Sequence, residues 1–286
     1  MQVATIAEIH RYPVKSMAGE RLDAVMIGED GVRGDRSWAA RDEGRGGIEG
    51  ARKVPAFLGC SARFDEPVPE SGAVPVPQIE LPDGTRLAIS APEAAAKLSE
   101  LTGRELTLWP RLPADNVEHY KRGAGDHDDL LEELRAIFGR LPDEPLPDLA
   151  SFPKESLLSA TIPGTYFDCY PLFLLTKTSL DSLTAAKPDS RFDPRRFRPN
   201  LLLDSAVSEG FPENAWVGRR LQVGEAIFQV AMECPRCVMT THGFGDLPKD
   251  PGIMRTLVKE NGGNIGIYCS VEKPGVILEG DPAVLL

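Results

Sequence analysis

The sequence predicts a mostly β chain with a minority of helix, an α+β class. Three observations carry this. Phe228, Val230 and Met232 alternate with Gln229, Ala231 and Glu233, the period of a half-buried strand. The other Val-, Ile- and Thr-rich runs are short and are cut by Gly, Pro and Asp, as strands between turns are. Only four stretches carry helix start or stop signals.

Taken in order, residues 3–14 are β-branched and aromatic and run into Pro13, which predicts a strand. The stretch RLDAVMIGEDGVRGDRSWAA predicts two short extended runs broken at Gly-Glu-Asp-Gly and Arg-Gly-Asp. Pro82-Asp83-Gly84 before TRLAIS predicts a tight turn into another strand. PEAAAKLSELTG opens with Pro92 and ends with Gly103, the end asymmetry of a helix. DDLLEELRAIFG puts Leu130, Leu134, Ile137 and Phe138 on one helical face, with Gly139 as the stop. Residues 141–165 hold five prolines and no periodicity, which predicts a surface loop or linker. YPLFLLT and LLLD then read as strands, TKTSLDSLTAA and DPGIMRTLVKENGG as short helices. VILEGDPAVLL reads as strand, Gly-Asp turn, strand. No repeat of fixed period is present.

At 286 residues and 42% hydrophobic the chain can bury a full core as one large or two small domains. A net charge of −11 argues against sequence-independent binding to nucleic acid or anionic membrane, since both need a basic surface. No apolar run approaches the roughly 18 residues of a membrane span. The start MQVATIAEIHRYPVKS has no secretory pattern. Cys60, Cys169, Cys234, Cys237 and Cys269 are odd in number and scattered except for one pair, which suits a reducing cytoplasm.

That pair, in AMECPRCVMTT, has several readings. A structural zinc site needs four ligands, and only His242 follows nearby. A thioredoxin-like redox pair opens a helix, yet VMTTHGFGD is a poor helix former. Two cysteines that simply pack, or one thiolate holding a metal cofactor at an open strand end, also fit.

Positive charge gathers in YPVKS (12–16), GDRSW (34–38), EGARK (49–53) and RRFRPN (195–200). Each alone reads as solvated surface. Prolines beside Lys15 and Arg198 fix the backbone and so the direction of the side chain. Arginine forks and lysine together bind phosphate, which makes a phosphate-bearing cofactor a physical candidate.

Tyr12-Pro13-Val14-Lys15-Ser16, Asp35-Arg36-Ser37-Trp38, Phe197-Arg198-Pro199-Asn200, Trp216-Val217-Gly218, Cys234-Pro235-Arg236-Cys237 with Thr240-Thr241, and Gly280-Asp281-Pro282 resemble, in this order, the MOSC proteins with an N-terminal β-barrel domain. The nearest branch resembles the mitochondrial amidoxime-reducing component and its bacterial relatives. The resemblance implies an N-terminal barrel-type domain over 1–120 and a MOSC barrel with short peripheral helices over 121–286. It implies the molybdenum cofactor, with Cys237 as the metal ligand and Cys234 in support. Lys15, Ser16, Arg36 and Arg198 would hold the pterin and phosphate, with Asn200 and Arg236 nearby and Asp168 and Tyr268 lining the site. The implied reaction is a two-electron reduction of N-hydroxylated compounds, with Cys237 and Asn200 in catalytic places and an open pocket formed by Asn200 and the residues around Thr240. After Gly280-Asp281-Pro282 no ferredoxin-type cysteine cluster follows, so the expected electron source is a separate reductase or iron–sulfur protein. The expected setting is cytoplasmic, with no membrane or nucleic-acid partner. A persulfide carrier on Cys237 and a cofactor carrier without catalysis are the alternatives.

Overall fold

The computed structural model describes residues 1–286. Its centre is a closed barrel of seven strands: β1 (Gln2–Arg11), β2 (Leu172–Thr176), β3 (Leu201–Ser205), β4 (Arg220–Val223), β5 (Ala226–Pro235), β6 (Asn264–Lys273) and β7 (Pro282–Leu285). Around the ring the order is β1, β3, β2, β6, β5, β4, β7 and back to β1. Every pair is antiparallel except β2–β3. A parallel pair needs a crossover, and the helix Lys177–Ala186 supplies it.

The alternation expected around Phe228 is observed, with burial switching at every residue of β5. Its inward side chains join Ile6, Ile9, Leu172, Leu174, Leu201 and Ile267 in the barrel interior. On β2 all five residues are buried. Leu172 and Leu174 face the interior, while Phe173 and Leu175 pack under the helices Lys177–Ala186 and Gly252–Asn261. A strand covered on both faces reads as an unbroken apolar run, which is what LFLL is. In β6 the backbone at Gly266 turns to a φ of 71°, and a Cβ there would lie 2.4 Å from the Phe173 ring and 2.5 Å from the Leu174 carbonyl oxygen. Only glycine fits that approach.

A second core of Val14, Met17, Phe57, Leu58, Ile79 and Leu98 fills the N-terminal part. Small sheets enclose it, among them Trp38–Asp42 with Leu106–Pro110, and the hairpin Gln78–Glu80 with Arg86–Ala88 around Pro82-Asp83-Gly84. The helix Pro92–Thr102 closes it and ends, as expected, on a left-handed Gly103. Strand β1 itself belongs to the barrel, so the chain starts in one core, builds the other and returns.

Two expectations change. Residues 141–165 are not wholly irregular, because Leu149–Ser151 and Lys154–Leu158 form short helical turns. On the helix Leu130–Phe138 only Ile137 and Phe138 are buried, and Leu130 is 72% exposed because that first turn projects beyond the core. No helix is long and apolar enough to cross a membrane.

Candidate functional site

Ring geometry brings distant segments to one rim. Ile9 pairs with Leu201, Leu201 with Leu174, Phe173 with Tyr268, and Tyr268 with Met232. The residues just beyond these pairs, Tyr12 to Ser16, Arg198 to Asn200, Asp168 and Cys234 to Cys237, therefore meet.

Asp35 is the internal fastener. Fully buried, it accepts the Tyr12 N–H at 2.6 Å, the Asn200 side-chain amide at 3.1 Å and the Arg36 guanidinium. The Tyr12 hydroxyl donates to the Pro199 carbonyl at 3.0 Å. Arg36 and Arg198 lie over the Tyr12 ring at 5.4 and 4.2 Å. Lys15 donates to the Tyr166 carbonyl at 3.0 Å and to Asp168 at 2.6 Å. The Ser16 hydroxyl accepts the Ala51 N–H at 2.8 Å.

Ser16, Arg36 and Arg198 are the only non-glycine residues of the chain with positive φ, at 70°, 44° and 60°. Left-handed backbone costs an ordinary residue roughly 1–2 kcal/mol, and such outliers cluster where a site over-determines them. All three are residues singled out above for a cofactor.

The electrostatics run the same way. Arg198 is buried, donates through Nη1 to the Met17 carbonyl and has no partner at Nη2. Desolvation, with Arg36 adding repulsion and Tyr12 opposing, brings its pKa down to about 10. Burial likewise lowers Lys15, against the pull of Asp168. Asp168 is itself desolvated, but Lys15, Arg52 and Arg36 more than reverse this and hold it down to about 2. Its side chain is 67% exposed although protein surrounds it, the condition of a group standing in an open hollow.

The thiol end joins through Phe197 and Arg236. Arg236 donates to the Phe197 carbonyl at 2.7 Å and to the Cys234 sulfur at 2.8 Å, and lies over the Phe173 ring at 4.6 Å. Cys234 is fully buried, and burial raises its thiol pKa despite Arg236. Burial also lifts Tyr268 far above the usual phenol range, with Cys234 adding to the rise. Cys237 is half-buried and free, at the start of the short helical turn Val238–Thr241. Arg140 and Arg236 both lie within electrostatic reach of it. Arg196, buried in the middle of RRFRPN, braces this turn by donating to the carbonyls of His242 at 2.9 Å and Pro248 at 2.7 Å.

Asn200, expected in a catalytic place, is fully hydrogen-bonded within the barrel. Both its N–H groups and its oxygen are used internally, on His10, Asp35 and the Phe173 N–H. It and Thr240 are buried, so they line no open pocket; Asn200 positions Asp35 instead. One cleft of about 280 Å³ reaches Tyr12, Ala18 and Arg198 from the barrel side. Another, of about 590 Å³, runs along Gly28 to Gly34, Trp38 and Arg111, whose Nε donates to the Arg36 carbonyl. Neither includes Cys237. No group of three or more His, Cys, Asp or Glu side chains gathers to hold a metal among themselves, which removes the four-ligand zinc reading of the cysteine pair.

Three arginines were not marked as site residues. Arg52 lay in EGARK, visible as a basic stretch. Arg122 and Arg140 flank the helix Leu130–Phe138 and carried no signal. Arg140 is buried, with Nη1 on the Phe138 carbonyl at 2.8 Å and Nε without a partner.

Residues 162–284 match the MOSC domain, and residues 3–120 match the MOSC N-terminal beta barrel domain. Mitochondrial amidoxime reducing component 2 of Bos taurus is 26% identical, over 98% of this chain and 83% of that protein. Mitochondrial amidoxime-reducing component 1 of Homo sapiens is 24% identical, over 100% of this chain and 84% of that protein. Molybdenum cofactor sulfurase of Drosophila grimshawi is 23% identical, over 91% of this chain but 31% of that protein.

Proposed function

Because this chain belongs to the MOSC proteins that carry the N-terminal barrel domain, we propose that it binds the molybdenum cofactor and reduces N-hydroxylated compounds. The observation that carries the reading is one strained, cation-rich cluster: Ser16, Arg36 and Arg198 in left-handed backbone, with Arg198 buried and one of its donors unpaired. Such a set fits a dianionic phosphate, which accepts several charge-assisted hydrogen bonds at once. Similarity to the two amidoxime-reducing components along nearly the whole chain supports the reaction class.

Lys15, Ser16, Arg36 and Arg198 would hold the phosphate and pterin, and the Cys237 thiolate would hold the metal. Molybdenum bound there supplies two-electron chemistry at an oxygen. In the net reaction the N–O bond breaks, two electrons and two protons enter, and water leaves with the reduced nitrogen compound. The electrons come from a separate donor protein. Asp168 stays ionised and keeps Lys15 oriented through their 2.6 Å contact. Arg236 fixes the Cys234–Cys237 turn by gripping both the Phe197 carbonyl and the Cys234 sulfur.

The test is elemental analysis with pterin oxidation fluorescence on protein made in a cofactor-competent host, then turnover of an amidoxime with a chemical reductant. Near one molybdenum per chain with amidine formed supports the reading. Protein that holds no molybdenum but releases sulfur to cyanide points instead to a persulfide on Cys237, a reading that similarity to the sulfurase favours.

A further inference from the structure

Resting on that function, we infer that Arg52 is a receptor for an acid group, so that the preferred substrates are N-hydroxylated compounds bearing a carboxylate. Arg52 is the only arginine of the chain whose side chain makes neither a hydrogen bond nor an ion pair. Its Nε is nonetheless buried. A guanidinium carries five N–H donors in a planar fork that matches a carboxylate, and leaving a buried donor unpaired costs about 1–3 kcal/mol. A half-buried guanidinium whose Nε is shut off from water and whose fork holds nothing is arranged for an anion from outside.

Its position ties it to the reacting end. The neighbouring Ala51 N–H donates to Ser16 at 2.8 Å, and a Cβ on Gly50 would sit 3.6 Å from the Lys15 Cε. The Arg52 carbonyl meets the His242 ring at 3.3 Å, on the chain that leaves the Cys237 turn. Arg52 thus bridges the Lys15–Ser16 corner and the far side of the thiol turn. Asp168, whose carboxyl feels the Arg52 charge, is already taken by Lys15.

Charge balance selects the ligand. Lys15, Arg36, Arg52, Arg198 and Arg236 outnumber Asp35 and Asp168. Lys15, Arg36 and Arg198 answer the cofactor phosphate, and Arg236 is engaged by Cys234 and Phe197. Arg122, which feels both Arg52 and Asp168, adds a further positive charge beside them while holding the carbonyls of Ser156 and Ser159 at 3.0 and 2.9 Å. The surplus is met by a monoanionic substrate group.

The experiment compares a neutral aryl amidoxime with its para-carboxylate on cofactor-loaded wild type and on Arg52→Gln, with pterin content measured on both proteins. The expected result is a wild-type preference for the carboxylate and a drop of about 10- to 100-fold in that preference ratio, seen mainly in KM, as loss of one charge-assisted contact predicts. Pterin content remains at the wild-type level. An unchanged ratio overturns the inference. Loss of pterin from Arg52→Gln also overturns it, by assigning Arg52 to the cofactor. If wild type turns over neither compound, the proposed reaction fails; the receptor is then judged by thermal shift of the same loaded proteins with benzoate, and equal shifts for wild type and variant reject it.

Discussion

Replacing Arg198 by glutamine separates holding the fold together from holding a ligand. A pKa lowered from 12.5 to about 10 means that keeping this guanidinium charged at neutral pH costs about 3 kcal/mol. Against that stand its hydrogen bond to the Met17 carbonyl, worth about 1.5–3 kcal/mol for a charged donor, and its contact with the Tyr12 ring at 4.2 Å, worth about 1–2 kcal/mol. These nearly cancel. The cofactor-free Arg198→Gln protein should therefore unfold within about 1 kcal/mol of wild type, a melting shift of about 2–4 °C. A phosphomonoester titrated onto the cofactor-free protein should bind about 10- to 100-fold more weakly to the variant, since a charge-assisted contact is gone. The assay is thermal unfolding over a ligand series, in which stabilisation follows RT ln(1 + [L]/Kd). A variant that loses more than about 3 kcal/mol without ligand, while binding the phosphomonoester as wild type does, would refute the reasoning and make Arg198 a structural strut.

Other outcomes follow from the same geometry. Cys237→Ser should lose the metal, measured by elemental analysis, and barely move the melting temperature because the thiol is half-buried and makes no hydrogen bond; Cys234→Ser should keep the metal, since a hydroxyl still accepts from Arg236. Asp168, held down to about 2 against about 3.9 unfolded, contributes stability above about pH 4 that is lost as pH falls to about 2. Denaturant titrations across that window should show a shallower pH slope for Asp168→Asn than for wild type, and identical slopes would contradict the pairing. Gly266→Ala should destabilise by at least about 2 kcal/mol, from left-handed strain plus collision with the Leu174 carbonyl, read from the denaturant midpoint.

Much of this was legible because strands and turns write local signals. The alternation in β5, the double-sided apolar run of β2 and the Pro-Asp-Gly hairpin each reflect an environment fixed by neighbours in sequence or by two covered faces. The site was legible only through resemblance. Composition shows that Arg36 and Arg198 are basic, but not that a buried tyrosine ring lies under both. The surroundings of Asn200 were hidden for the same reason: a polar residue beside Pro199 looks available, whereas the barrel closes over it and consumes its donors on His10 and Asp35. Arg140 follows a helix stop in a segment without periodicity, and only tertiary packing delivers it to the thiol turn.

A chain at −11 that buries arginine and lysine at one rim works against its own stability unless something anionic arrives. The barrel explains how this is tolerated. Asp35 ties three segments with one carboxylate, and Arg196 spends its fork on backbone carbonyls, so the frame does not depend on the under-partnered cations. Rigidity sits in well-paired groups such as Asp35 and Arg196, while left-handed strain falls on Ser16, Arg36 and Arg198, and buried donors on Arg52, Arg140, Arg198 and Arg236 lack partners. Because the frame is satisfied without ligand, these side chains can be held in place before binding, and the anion then meets a site that needs no rearrangement.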